Sequence, residues 1–139
     1  MSSSAELRPV PAVDEAEIDR SAQSRLTAVV RTRGPAVVLS FRGEADSFAM
    51  EGWIERIRSA AESGTSIVVV DTNCLGFLSW RALLALAQAA DHYRSRGVHI
   101  CLVTQSPTIL RIAALEPVTR RLAIHSTVVS AVSCAPRAG

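Results

Sequence analysis

The chain has 139 residues, 48% of them hydrophobic and 20% charged. That is length enough for one core, at a composition near the soluble globular mean, which excludes a wholly disordered or collagen-like chain. The net charge of +2 rests on 15 basic residues, all arginine, with no basic block, so no phosphate-neutralising face and no nucleic-acid partner is expected.

Charge is uneven along the chain. Residues 1–24 hold Glu6, Asp14, Glu15, Glu17 and Asp19 against Arg8 and Arg20, leaving the remainder at +5. With few large apolar side chains this stretch reads as a flexible acidic tail, residues 25–134 as one domain, and residues 135–139 as a short C-terminal tail. The start lacks the basic and apolar regions of a secretory signal, and no apolar run reaches the ~20 residues of a membrane span. A cytoplasmic protein without a membrane partner is expected.

Leu26 to Arg31 reads as a strand, Arg33-Gly34-Pro35 as a turn, and Ala36 to Arg42 as a second strand with Val37, Leu39 and Phe41 alternating on one face. Asp46-Ser47 offers a capping oxygen to a helix over about 48–62, whose apolar face is Met50, Trp53, Ile54, Ile57 and Ala61, with Gly64 as its stop. Ile67 to Val70 is an unbroken apolar run suited to a parallel strand buried on both faces, with Asp71 at its carboxyl end and Thr72 to Leu78 as a loop.

Ser79 is placed to cap a long helix from Trp80 to about Arg96 that stops at Gly97. Val98 to Val103 follows as a buried strand, and Ser106-Pro107 opens a short helix over 107–115. Leu122 to Ile124 and Ser126 to Val132 read as a last strand and helix. The order β-β-α-β-α-β-α-β-α predicts an α/β fold: a mixed, largely parallel sheet with helices packed against it.

The segments Gly43-Glu44-Ala45-Asp46, Val68-Val69-Val70-Asp71, Phe77-Leu78 before a helix, and Ser106-Pro107 with Ile109, Leu110 and Ile112 together resemble the STAS domain of anti-sigma factor antagonists. The resemblance runs from about Leu26 to Val132. It implies a STAS fold and a bacterial signalling protein that regulates transcription by binding an anti-sigma factor, often a serine kinase, so releasing a sigma factor.

Members of that family typically carry Asp-Ser-Ser-Gly-Leu, or Asp-Ser-Thr/Ala-Gly, after the Phe-Leu pair, and the second hydroxyl position is phosphorylated by the partner kinase. Here the segment is Ser79-Trp80-Arg81-Ala82-Leu83. Arg81 stands at the acceptor position, where it neither takes a phosphate nor imitates one, so the usual switch is expected to be absent. Ser79 is weighed as a displaced acceptor against a plain helix cap, with the cap favoured.

The resemblance places the partner-binding surface on the segment 72–79 and the first turn of the next helix: Thr72, Asn73, Ser79, Trp80 and Arg81, with Asp46 alongside. Trp and Arg are frequent anchors of interfaces; the bland alternatives are that Trp80 packs on a neighbouring helix, Arg81 is solvated and Asp46 only caps. A second reading keeps the fold as an interaction or ligand-sensing module without an anti-sigma partner, and homodimerisation stays open.

An enzyme is the weakest class. Glu44 and Asp71 lie near strand ends without an acid-base partner, His92 and His125 lack one too, and phosphate-loop, dinucleotide and nucleophile-elbow motifs are absent. His99 and Cys101 share a strand face, yet two ligands make no metal site, so no metal or cofactor is expected. Cys74, Cys101 and Cys134 read as buried free thiols.

Overall fold

The computed structural model describes residues 26–134; both expected tails lie outside the described residues, save that the domain's first residue falls there too. Strand β1 (Thr27–Arg33) and strand β2 (Ala36–Ala45) form the opening hairpin. Only Gly34 and Pro35 join them, and Gly34 takes φ 58°, a left-handed conformation that costs glycine nothing. Helix α1 (Met50–Ala61), strand β3 (Ile67–Leu78), helix α2 (Trp80–Arg94) and strand β4 (His99–Val103) follow. The described chain ends with helix α3 (Pro107–Ala113), the single turn α4 (Pro117–Arg120), strand β5 (Ala123–His125) and helix α5 (Val128–Cys134).

The sheet order is β1-β2-β3-β4-β5, antiparallel between the first two strands and parallel in the rest. Helix connections between neighbouring strands enforce that parallel pairing. Alternation along β2 sends Leu39 and Phe41 into a large core with Trp53, Ile57, Leu83, Leu86 and Leu102, while Ala36 and Val38 face a smaller one with Val69, Cys101, Val103 and Ala131 of α5. The first core holds most of the apolar burial that opposes chain entropy.

The expected loop over 72–78 is instead the second half of β3. Arg42 to Ala45 pair in parallel with Cys74 to Leu78, with register shifts between Ser40 and Arg42 and between Gly43 and Glu44. Polar Thr72 and Asn73 and a glycine at 76 interrupt the apolar pattern and fall at those register shifts, with no β2 residue opposite them, while Cys74, Leu75, Phe77 and Leu78 around them pair with β2 and carry the strand through. Asp71 therefore lies within the strand rather than ending it.

The first helix starts two residues later than expected. Its N-cap, Ala49, makes no side-chain capping bond; Asp46 Oδ1 instead accepts from the amides of Phe48 at 3.0 Å and Ala49 at 3.2 Å, holding the turn that precedes the helix. Ile54, assigned to the apolar face, is 45% exposed, and Ala60 is buried in its place. The helix expected over 107–115 ends at Ala113, and the unforeseen α4 begins at Pro117, whose missing N–H is no loss at a first helical position.

Candidate functional site

Parallel β2 and β3 end side by side, and α1 and α2 both begin there. Ser79, in extended conformation, closes the corner: its amide donates to Ala45 O at 2.9 Å, and its Oγ accepts from Ala82 N at 3.1 Å, capping α2. The indole Nε1 of Trp53 donates to Ala82 O at 2.9 Å. The first turn of α2 is thus pinned by the β2 backbone, by its own cap and by a buried tryptophan of α1.

What this rigid turn displays is an aromatic and a cation. Trp80 is 38% exposed, and Arg81 is exposed with no acidic residue in the first turn of α2. Two further aromatics stand at the same sheet end: Phe77, opposite Glu44 in the ladder and 52% exposed, and Phe48, in the turn held by Asp46 and 71% exposed. Of the six aromatic residues in the chain, three are bare here. Beside Phe77 a hollow of about 290 Å³ opens between the end of β3 and α3, lined by Leu75, Phe77, Ile109 and Ile112 with Thr104 and Thr108.

The residues selected from the sequence do not all gather at this corner. Asp46, Ser79, Trp80 and Arg81 do. Asn73 is exposed but turned toward the other flank, where its Nδ2 donates to Ser126 O at 3.4 Å and its amide to Asp71 Oδ1 at 3.1 Å. Thr72 is buried, its hydroxyl donating to Val103 O at 2.7 Å; that bond ties β3 to β4 and leaves no side-chain surface for a partner.

Phe48 was missed, and Phe77, though inside the expected segment 72–79, was not singled out. The signal was present: Phe48 falls outside the face set by Met50, Trp53 and Ile57, so a helix starting there would leave it uncovered. Phe77 needed the knowledge that β3 continues, because a loop reading gives its side chain no direction.

The other polar candidates are engaged elsewhere. Asp71 Oδ2 accepts from Ser40 Oγ at 3.3 Å, and His125 Nδ1 lies 3.2 Å from Ser130 Oγ. His92 meets the Tyr93 ring edge to face at 4.8 Å, and Glu44 is exposed. Burial depresses the His99 imidazole below the ordinary histidine range, helped by the charges of Arg94 and His125. Cys101 is buried, its thiol pushed up to about 12 by desolvation. Cys74, expected inside, is exposed. Among the described residues no three His, Cys, Asp or Glu side chains are grouped to hold a metal ion, and no helix is long and apolar enough to cross a membrane.

The STAS domain family matches residues 27–131. The anti-sigma-F factor antagonist RsfA of Mycobacterium tuberculosis is 32% identical over 110 residues, covering 78% of this chain and 86% of RsfA. Among solved structures, an anti-sigma factor antagonist from Mycobacterium paratuberculosis superposes with a TM-score of 0.66 at 19% identity, over 78% of this chain and 92% of that one. The unphosphorylated anti-sigma factor antagonist SpoIIAA gives 0.59 at 17% identity over 77% and 96%, and its phosphorylated Bacillus form gives 0.58 at 16% over 77% and 97%. The chain belongs to the STAS domain family, among the anti-sigma factor antagonists, a family of regulators rather than enzymes.

Proposed function

We propose that this protein binds an anti-sigma factor, of the serine-kinase type included, through the corner formed by Phe48, Phe77, Trp80 and Arg81, with Asp46 holding the turn beside them. In doing so it frees a sigma factor in the cytoplasm, and binding is not switched by phosphorylation at position 81. The observation that carries this reading is the first turn of α2: an aromatic and a cation stand exposed on a backbone locked by Ser79 and Trp53.

The chemistry favours a constitutive contact. Interfaces draw most of their energy from a few Trp, Tyr and Arg anchors that become desolvated at the centre. The hollow beside Phe77 suits an apolar side chain of the partner, and Arg81 calls for a carboxylate opposite. A phosphate added at the start of a helix would meet free N–H groups and change the sign of such a surface; an arginine holds it positive. Ser79 supports the unswitched reading as well, because its oxygen is engaged as the cap of α2.

The test is a binding titration against the host's anti-sigma factors. Trp80→Ala is expected to weaken binding of the cognate factor by about 30-fold or more, as for a typical hot spot, and Arg81→Ala by less, with a flatter dependence on salt. Wild-type affinity in both variants would remove this corner from the interface.

A further inference from the structure

The helix layer over the large core stops short of the outer strand. Helix α1 lies over β2 and β3, while the core-side residues of β1, those opposite Leu39 and Val37, are Val30 and Thr32. Val30 is left 60% exposed. Between this flank and α1 runs a groove of about 650 Å³, with Val30, Val37, Leu39 and Ala60 as its apolar floor and Arg56 and Ser59 on its rim. It opens at the amino ends of β2 and β3, beside Gly34 and Gly64, and so lies at the opposite end of the sheet from Trp80.

Arg56 differs from its neighbour Arg58. Arg58 is paired with Glu55 and Glu62 along the helix, whereas the positions three and four residues either side of Arg56 are Gly52, Trp53, Ser59 and Ala60, none of them acidic. Among the described residues no carboxylate reaches its guanidinium. The groove thus offers an apolar floor and one cation on its rim.

We infer that this groove is the docking site of the chain's own acidic segment, residues 13–19. That segment, Val13-Asp14-Glu15-Ala16-Glu17-Ile18-Asp19, combines three apolar side chains, Val13, Ala16 and Ile18, with four carboxylates, the complement of the floor and of Arg56. It joins the domain at β1, the strand that forms one wall of the groove. Six residues, Arg20 to Arg25, connect it to Leu26 and extend up to about 20 Å, whereas Val30 lies only about 13 Å along the strand from Leu26. A short tether sets a millimolar effective concentration, so a modest contact is enough to hold the segment in place. Docking would cover Val30 and shield the outer strand, whose edge is otherwise open to pairing with another chain.

The test uses the full chain and hydrogen exchange of the amides in β1 and over Ser59–Thr65. Arg56→Glu, on an exposed helical position, is expected to speed their exchange by about tenfold. Neutralising Asp14, Glu15, Glu17 and Asp19 together to serine is expected to do the same, with no further gain when both changes are combined, and the denaturation midpoint of β3 and β4 reporters shows that the fold is kept. Independent, additive effects would overturn the inference. So would unchanged exchange, protection that grows with protein concentration and points to a second copy, or protection lost when bound amphiphiles are stripped from the protein.

Discussion

The two tryptophans of this chain sit on either side of one helical turn and do opposite things. Trp53 is fully buried, its ring 4.6 Å from that of Phe41 and its indole N–H on Ala82 O. Trp80, two residues before that carbonyl, is 38% exposed at the head of the same helix. One holds the first turn of α2 in place and the other is presented by it. A rigid platform makes an exposed aromatic useful, because little entropy remains to be lost when a partner orders it.

Substitutions at the two rings should separate these roles sharply. Trp53→Ala is expected to cost about 3 to 5 kcal/mol of folding stability, read by chemical denaturation, and to lower partner binding only through loss of fold. Trp80→Ala should leave stability within about 1 kcal/mol of wild type while costing about 2 kcal/mol or more in binding. If both variants lost stability equally, Trp80 would be a core residue and the division would fail.

The cap between them is a finer probe. Ser79→Ala removes the acceptor of the Ala82 N–H and is expected to cost about 1 kcal/mol, measured as a shift in the denaturation midpoint, while Ser79→Asp should restore most of it. An equal loss in both variants would show that the hydroxyl contributes something other than capping.

The smallest expected effect lies away from the corner, at His99. Burial holds its folded-state pKa below the ordinary histidine value. The unfolded chain therefore binds the proton first as pH falls, and stability drops across the window from the ordinary value down to the depressed one, then levels off. His99→Gln should flatten that part of the stability profile. A profile unchanged by the substitution would assign the acid sensitivity to other groups.

The fold was legible where local signals agree. Ser79 and Ser106 both cap the helices they were expected to cap, accepting from the amides of Ala82 and Ile109, and the apolar run from Ile67 to Val70 is buried throughout. What the sequence hid depends on contacts made at a distance. The second half of β3 exists because β2 pairs with it, and Thr72 and Thr119 are buried because their hydroxyls reach Val103 O and Ala113 O. Asp91 is held below the usual carboxylate range by hydrogen bonds from Arg121 and Arg94, and Arg121 lies 30 positions away, beyond any helical spacing.

The candidate site divides along the same line. Trp80 and Arg81 were legible because they are an aromatic and a cation at the start of a helix whose cap, Ser79, is itself readable from the sequence. Phe48 and Phe77 were not, since their exposure follows from where a turn ends and where a strand continues. Trp53 was placed on the right helix face, yet its bond to Ala82 O joins residues 29 positions apart, and no periodicity reports such a contact.

On the function proposed, an anti-sigma factor is bound at this corner without a phosphorylation switch. The most direct measurement is a titration of the full-length protein with its cognate anti-sigma factor in the presence of ATP and Mg²⁺, with intact mass recorded from the same samples. Tight binding that ATP leaves unchanged, with no gain of phosphate mass, is the expected result. A phosphate adduct appearing together with release of the complex would contradict it and place the switch on a hydroxyl, with Ser79 the first to map.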